Sequence, residues 1–307
     1  MTPAAAHAQS LADVLTFLVT NQSVPTGSVE RDRAAADAAA VTISRSLLSS
    51  LATLPVASSS SAFVYRLNPE LGTVQRATRT FGPFFLERAL TSGRGQPSIG
   101  VTMQHLSFAS LDGRNLADGS LVTTANAFKD ESAPFDVDAL TLHIDADVAT
   151  LYGTIGVTNR MEVGFAAPIV ALRIDGSRLN TYRGRTFTQA TASGRTIGLA
   201  DLVLRTKYTL FDEDATALAA AVDVRLPTGR EQDLLGTGSA SYKLSAIGSL
   251  EAGRVSAHAN AGVSRGGLAP ELSYGAAIAL DAVDKVSIIG ELLGRWIDGA
   301  GDRKSVV

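Results

Sequence analysis

From Ser98 to Trp296 the chain alternates apolar and polar residues with a period of two. That period marks strands whose two faces meet different surroundings. Nine segments carry it: Ser98–Ser110, Ala139–Tyr152, Met161–Ile174, Gly198–Leu210, Thr216–Leu226, Ala240–Glu251, Val255–Ser264, Glu271–Asp281 and Lys285–Trp296. In the first, Ile99, Val101 and Met103 oppose Gly100, Thr102 and Gln104. In the fifth, Leu218, Val222 and Val224 oppose Asp223 and Arg225.

Each segment has about the length that crosses a bilayer as a tilted strand, or slightly more. The connections alternate in length. Gly153–Arg160, Phe211–Ala215, Ala252–Arg254 and Ala282–Asp284 are short; Leu111–Asp138, Asp175–Ile197, Pro227–Ser239 and Arg265–Pro270 are longer. Short periplasmic turns and longer outer loops are the habit of outer-membrane barrels. Odd strands then run outward and even strands inward. Tyr152 and Tyr208 are expected at the inner rim, and Tyr242, Tyr274 and Trp296 at the outer rim, as interfacial aromatics. A soluble sandwich also alternates, with its apolar faces inside; connection lengths and rim aromatics favour the barrel.

Ahead of the strands the period changes. Leu11, Val14, Leu15, Phe17 and Leu18 have helical spacing within 10–22, and the Ala-rich stretch 34–54 reads as a second helix. Ser58–Ser61 breaks that pattern, and 62–78 reads as a small hairpin around Asn68-Pro69 and Gly72. The helices could plug the lumen, lie in the periplasm or bind a partner; a solvent-side pair is preferred. The organisation read from these shifts is 1–8 a signal-peptide remnant, 9–57 a helical periplasmic or plug segment, 58–97 a hairpin and lead-in, 98–301 the strands, and 302–307 a non-native tail. The first rests on Ala6-His7-Ala8, an A-x-A cleavage pattern before Gln9. The last rests on Asp302–Val307, whose codons can spell a sequencing adapter.

Chemistry changes the picture little. "LTLHIDADVATLYG", Leu140–Gly153, sets His143, Asp145 and Asp147 two residues apart. On a strand that spacing is roughly 6.6 Å per step, too wide for three ligands on one metal ion without help from other strands. They are therefore expected in the lumen, with Leu140, Leu142, Ile144, Ala146 and Val148 facing lipid. Glu162, Asp201, Arg205, Lys207, Asp223, Arg225, Lys243, Glu251, His258, Glu291 and Arg295 are expected to line the same lumen, as a selectivity-setting field or a salt-bridged filling. No G-x-S-x-G is present, so no catalytic residue is assigned. "GRGQPSIG", Gly93–Gly100, lacks the strand-to-helix context of a phosphate loop and reads as a bend.

The totals exclude several classes. A net charge of −3 gives no electrostatic footprint for nucleic acid. The absence of cysteine removes disulfide scaffolds and thiolate metal sites. No apolar run reaches the roughly 18 residues of a membrane-spanning helix, which leaves strands as the means of crossing.

Four motifs in order carry a resemblance. They are "LYGTIGVTNRMEVGFAAPIV" (Leu151–Val170), "GLADLVLRTKYTLF" (Gly198–Phe211), "LAAAVDVRLPTGREQDLLGTGS" (Leu218–Ser239) and the lead-in Leu67–Gly100. Together, over about Ser60–Arg295, the chain resembles the meta-pathway phenol-degradation (MetA-type) transporter-like family of bacterial outer-membrane barrels. The resemblance implies a porin-like transporter, with phenolic or other hydrophobic solutes. Nine strands and a terminal Val307 depart from a closed barrel ending on an aromatic residue.

The expected fold is an all-β antiparallel transmembrane β-barrel, incomplete at the C-terminus, with an N-terminal α-helical segment. The expected function is passage of small solutes across the bacterial outer membrane, with lipid and solute as partners and without cofactor or metal. A plugged structural or binding barrel is the alternative, and an outer-membrane lipid or ester hydrolase a third.

Overall fold

A computed structural model of the chain describes residues 10–19, 29–52, 65–68, 73–76, 83, 85–111, 114–119, 137–182, 185–283 and 286–297. The expectations for 1–8, Ser58–Ser61, Pro69, Gly72, most of 111–138 and 302–307 lie outside these residues.

Helix α1 spans Leu11–Val19 and α2 spans Val29–Ala52. Ser10 caps α1: its hydroxyl accepts from the Asp13 N–H, and the Asp13 carboxylate accepts from the Ser10 N–H and hydroxyl. This reciprocal arrangement satisfies donors that a first helical turn leaves open. Two short antiparallel strands follow, β1 (Tyr65–Asn68) and β2 (Thr73–Arg76), as the hairpin pattern predicts.

The main sheet is antiparallel. It contains β3 (Pro97–Ser107), and after the small ladder of β4 (Ser110–Leu111) and β5 (Arg114–Asn115) come β6 (Val137–Gly156), β7 (Met161–Tyr182), β8 (Arg185–Leu199), β9 (Leu202–Glu213), β10 (Thr216–Leu226), β11 (Ser241–Ala252), β12 (Val255–Gly266), β13 (Glu271–Val283) and β14 (Val286–Ile297). The hydrogen-bonded path is β14-β13-β12-β11-β10-β9-β7-β6-β3, nine strands in sequence order, as the periodicity predicts.

One expected loop is not a loop. The stretch 175–197 continues β7 and returns as β8, paired from Ile169↔Leu199 to Tyr182↔Arg185. Strand β9 then pairs with the lower part of β7, from Ala166↔Val203 to Met161↔Tyr208. Together β8 and β9 run beside β7 as one long strand, interrupted at Ala200–Asp201. The polar composition that suggested a loop belongs to a hairpin standing beyond the ends of its neighbours.

The sheet curls. Leu48 and Leu51 of α2 line one cavity with Gln104 of β3, while Ser49 accepts a hydrogen bond from Arg295 of β14. β3 and β14 are opposite edges, eight strand spacings apart, or roughly 38 Å if the sheet were flat. One helix turn reaches both only because the sheet bends round it. Among the described residues the edges are not paired with each other, and the sheet is not closed.

Two fillings occupy the concave side. At the loop end α1 lies on β7 and β8. Glycines make its seat: a Cβ at Gly176 would stand 2.5 Å from a Leu18 methyl, and one at Gly194 2.7 Å from a Leu11 methyl. Leu11, Leu15, Leu18, Leu140, Leu142, Ile144, Leu172 and Ile174 form a continuous buried core there. One apolar face of each helix packs against the inner side of the sheet, while Asp13, Phe17, Asp37, Val41 and Arg45 remain exposed, so the apolar contact is larger than expected of a solvent-side pair. Towards the turn end, the irregular segment Phe85–Ser92 crosses the interior as a strap.

The outer face is apolar. Ile99, Met103, Leu204, Leu244, Ile278, Ile288, Leu292 and Trp296 are all exposed, several above 60 %. No described helix is long and apolar enough to cross a membrane.

Candidate functional site

The strap has no strand or helix to satisfy its backbone, and buried N–H and C=O groups demand partners. Side chains of the wall supply them. Glu291 on β14 accepts from the N–H groups of Phe85 and Leu86, at 2.9 and 3.2 Å. Ser249 on β11 accepts from the Ala89 N–H at 2.9 Å, and its hydroxyl lies 2.9 Å from His258 Nδ1 on β12. Thr209 on β9 donates to the Ala89 carbonyl, and Thr91 donates to the carbonyl of Asn159. Glu162 on β7 accepts from the Ser92 N–H and hydroxyl. The eight-residue strap is thereby tied to β7, β9, β11 and β14.

At the centre lies an ionic network. Lys207 is 1 % exposed; its Nζ stands 2.8 Å from Glu162, 3.5 Å from Glu87, and donates to the Arg88 carbonyl at 3.1 Å. Arg205 grips Asp223 in a fork, Nε to Oδ1 at 2.5 Å and Nη2 to Oδ2 at 2.7 Å, and also pairs with Glu87. Charges so far from water persist only when each meets an opposite charge and its remaining hydrogen bonds are filled. Glu87 serves both cations, so the strap locks two neighbouring positions of β9 at once.

Asp201 has a different task. Its carboxylate accepts from the Gly229 N–H at 3.0 Å and from the N–H and hydroxyl of Thr237, each at 2.9 Å. Thr228 donates to the Ala200 carbonyl and accepts from the Leu202 N–H. The "GLAD" of one motif and the "LPTG" and "LGTG" of the next are therefore one hydrogen-bonded unit. It folds the 227–240 loop inward and sets Leu234 and Leu235 into the core with α1 and α2.

Between this loop, the C-terminal end of α2 and the strap lies a cavity of about 410 Å³. Arg205, Asp223, Arg225, Lys243, Glu271 and Arg295 line its polar side, and Phe85, Leu86, Leu268 and Leu293 its apolar side.

Of the residues expected on the wet face, the concave side carries Glu162, Asp201, Arg205, Lys207, Asp223, Arg225, Lys243, Glu251, His258, Glu291 and Arg295 in alternation with the exposed apolar series. His143, Asp145 and Asp147 are a correction. They project from the opposite, outer face of β6, where His143 Nε2 pairs with Asp145 at 2.9 Å and His105 Nδ1 with Asp147 at 2.7 Å. Leu140, Leu142, Ile144, Ala146 and Val148, expected towards lipid, are the inward ones. The reason is α1, whose apolar face covers that end of the sheet and needs apolar partners.

Tyr152 is corrected with them. It shares the inward face, and its ring covers Gly100 on β3, so a side chain there would have to displace the ring. Tyr208, Tyr242, Tyr274 and Trp296 are exposed on the outer face.

Glu87, Arg88 and Ser249 are absent from the expected set. A signal for the first two exists in the sequence. In "FGPFFLERALTSG", Phe81–Gly93, an adjacent acid and base sit alone in an apolar run without alternation. Such a pair has no wet face to occupy, so it must find partners inside the fold.

A protein-family model described as "Putative MetA-pathway of phenol degradation" matches residues 125–282, just over half of the chain. The matched span runs through β6 to β13. No curated protein matches the chain.

Proposed function

The chain belongs to the MetA-pathway phenol-degradation family, and from that premise we propose that it is an outer-membrane barrel wall that passes small solutes along its concave side. The observation that carries this reading is the inversion of faces. Around β9 to β14 most large apolar residues look outward, and the charged residues look inward beside a few apolar ones such as Ile247 and Leu293. A water-soluble sheet of that size would expose far more contiguous apolar surface than solvated proteins tolerate. In a bilayer the same wall meets hydrocarbon outside and a polar interior within.

Passage requires only binding and diffusion. Paired charges on the concave side set a transverse field that selects among solutes, and no bond is made or broken. Ser249 fits a positioning role: its hydroxyl is held between the strap backbone and His258, away from the cavity.

A second reading has its own support. The strap and both helices fill much of the interior, as in a plugged barrel that binds or anchors without transport. Planar-bilayer conductance and liposome swelling with the refolded chain separate the two. Discrete conductance steps are expected of a pore. A heat-modifiable band on a gel without conductance or uptake would leave the plugged barrel standing.

A further inference from the structure

The cavity above the strap holds two charged groups that the ionic network does not use. Registers align Arg205, Asp223, Lys243, Ser264 and Glu271 in one row across β9 to β13. Arg205 and Asp223 are paired with each other. Lys243 and Glu271 are within electrostatic reach of each other, and Glu271 of Arg225, but among the described residues neither side chain makes a hydrogen bond or a salt bridge at contact distance. Their strands are two spacings apart, roughly 10 Å. The position between them is Ser264; beside it on the same face of β12 lie Gly262, over which the Lys243 side chain folds, and Gly266, which the Ala240 backbone approaches. Arg225 stands diagonally beside Lys243, one step nearer the loop end. Opposite them the strap and loop present Phe85, Leu86 and Leu268.

An ammonium and a carboxylate that share a cavity without touching each other or another charge, with an apolar wall opposite, suit a solute whose own groups can bridge them. We propose that this cavity is a binding site for a small organic acid with an apolar body, its carboxylate received by Lys243 and Arg225 and a hydroxyl or ammonium donor received by Glu271. This deepens the passage reading and rests on it for the solute's route. Lone acids and lone phenols each satisfy only half of the pair, so the site discriminates between them and a molecule carrying both groups.

The test uses the refolded full chain in detergent or liposomes, with calorimetric titration of 4-hydroxybenzoate, benzoate and phenol. On the unmodified chain 4-hydroxybenzoate is expected to bind saturably, one per chain, about tenfold or more tighter than the other two. Lys243→Gln is expected to weaken 4-hydroxybenzoate about tenfold and leave phenol unchanged. Glu271→Gln is expected to weaken 4-hydroxybenzoate yet tighten benzoate, because an opposing charge is removed. A general loss of structure cannot produce that crossed pattern, and the gel shift checks folding of each variant. Equal binding of the three probes, absence of saturable binding, or indifference to Lys243→Gln overturns the site. Conductance without saturable binding overturns the site and leaves the pore. The expected binding pattern without conductance upholds the site and counts against passage.

Discussion

The loop-end half of β6, β7 and β8 and the wall of β9 to β14 belong to one sheet, yet they follow opposite rules. In the first, Leu142, Ile144 and Leu172 are buried inside while His143 and Asp147 face out. In the second, Lys207, Asp223 and His258 are buried inside while Leu244, Ile278 and Leu292 face out. The same period of two underlies both. What differs is the covering: an apolar helix lies on the inner face of one, and a charged strap lies on the inner face of the other. Alternation states that two faces differ; it does not state which is enclosed.

The largest test of this contrast lies in the ionic network. Lys207→Met leaves Glu162 and Glu87 short of a buried partner, so a loss of about 3–5 kcal/mol is expected in urea-titrated folding into liposomes. A variant as stable as the parent would show that the network is solvated and not enclosed.

An outward charge sharpens the contrast directly. Leu244→Arg, on the apolar wall, is expected to cost about 2–4 kcal/mol in the same assay. Asp147→Arg, outward on β6 beyond the apolar zone, is expected to change stability by no more than about 0.5 kcal/mol. Equal penalties at both positions would erase the distinction between the two regions.

The hinge between the regions is Ala200–Asp201. Asp201→Ala removes the acceptor for three hydrogen bonds that hold the 227–240 loop, with an expected cost of about 1.5–3 kcal/mol. Limited proteolysis should then cut within 227–240 first; unchanged resistance there would count against the anchoring role. The most local effect concerns α1. Ser10→Ala removes the α1 cap and is expected to cost about 1 kcal/mol, read as faster amide exchange confined to 11–19. Exchange that rises equally in β9 to β14 would instead mean that α1 supports the whole sheet.

Legibility followed the covering as well. Strands β10 to β14 were readable nearly to the residue, because outward apolar and inward polar positions alternate along most of their length, with bulges only at Leu218/Ala219 and Asp281/Val283. The hairpin of β7 and β8 was not. Its outer face leaves the apolar zone, so Arg173, Ser177, Ser193 and Arg195 give it the composition of a loop. The concave charges of β7 and β9 to β14 could be gathered from period alone. Their partner Glu87 could not, since it lies far off in sequence from Arg205 and Lys207 on a segment with no period.

By itself, the sequence determined that nine two-faced strands alternate in direction, that helices precede them, and that a set of charges shares one face. Those are local properties, set by side-chain period and turn length. Only the tertiary structure decided which face of β6 is inside, that the lead-in crosses the interior, and that Lys243 and Glu271 share one cavity without touching. Each of those depends on what packs against a strand from elsewhere in the chain, and a period of two is symmetric with respect to that choice.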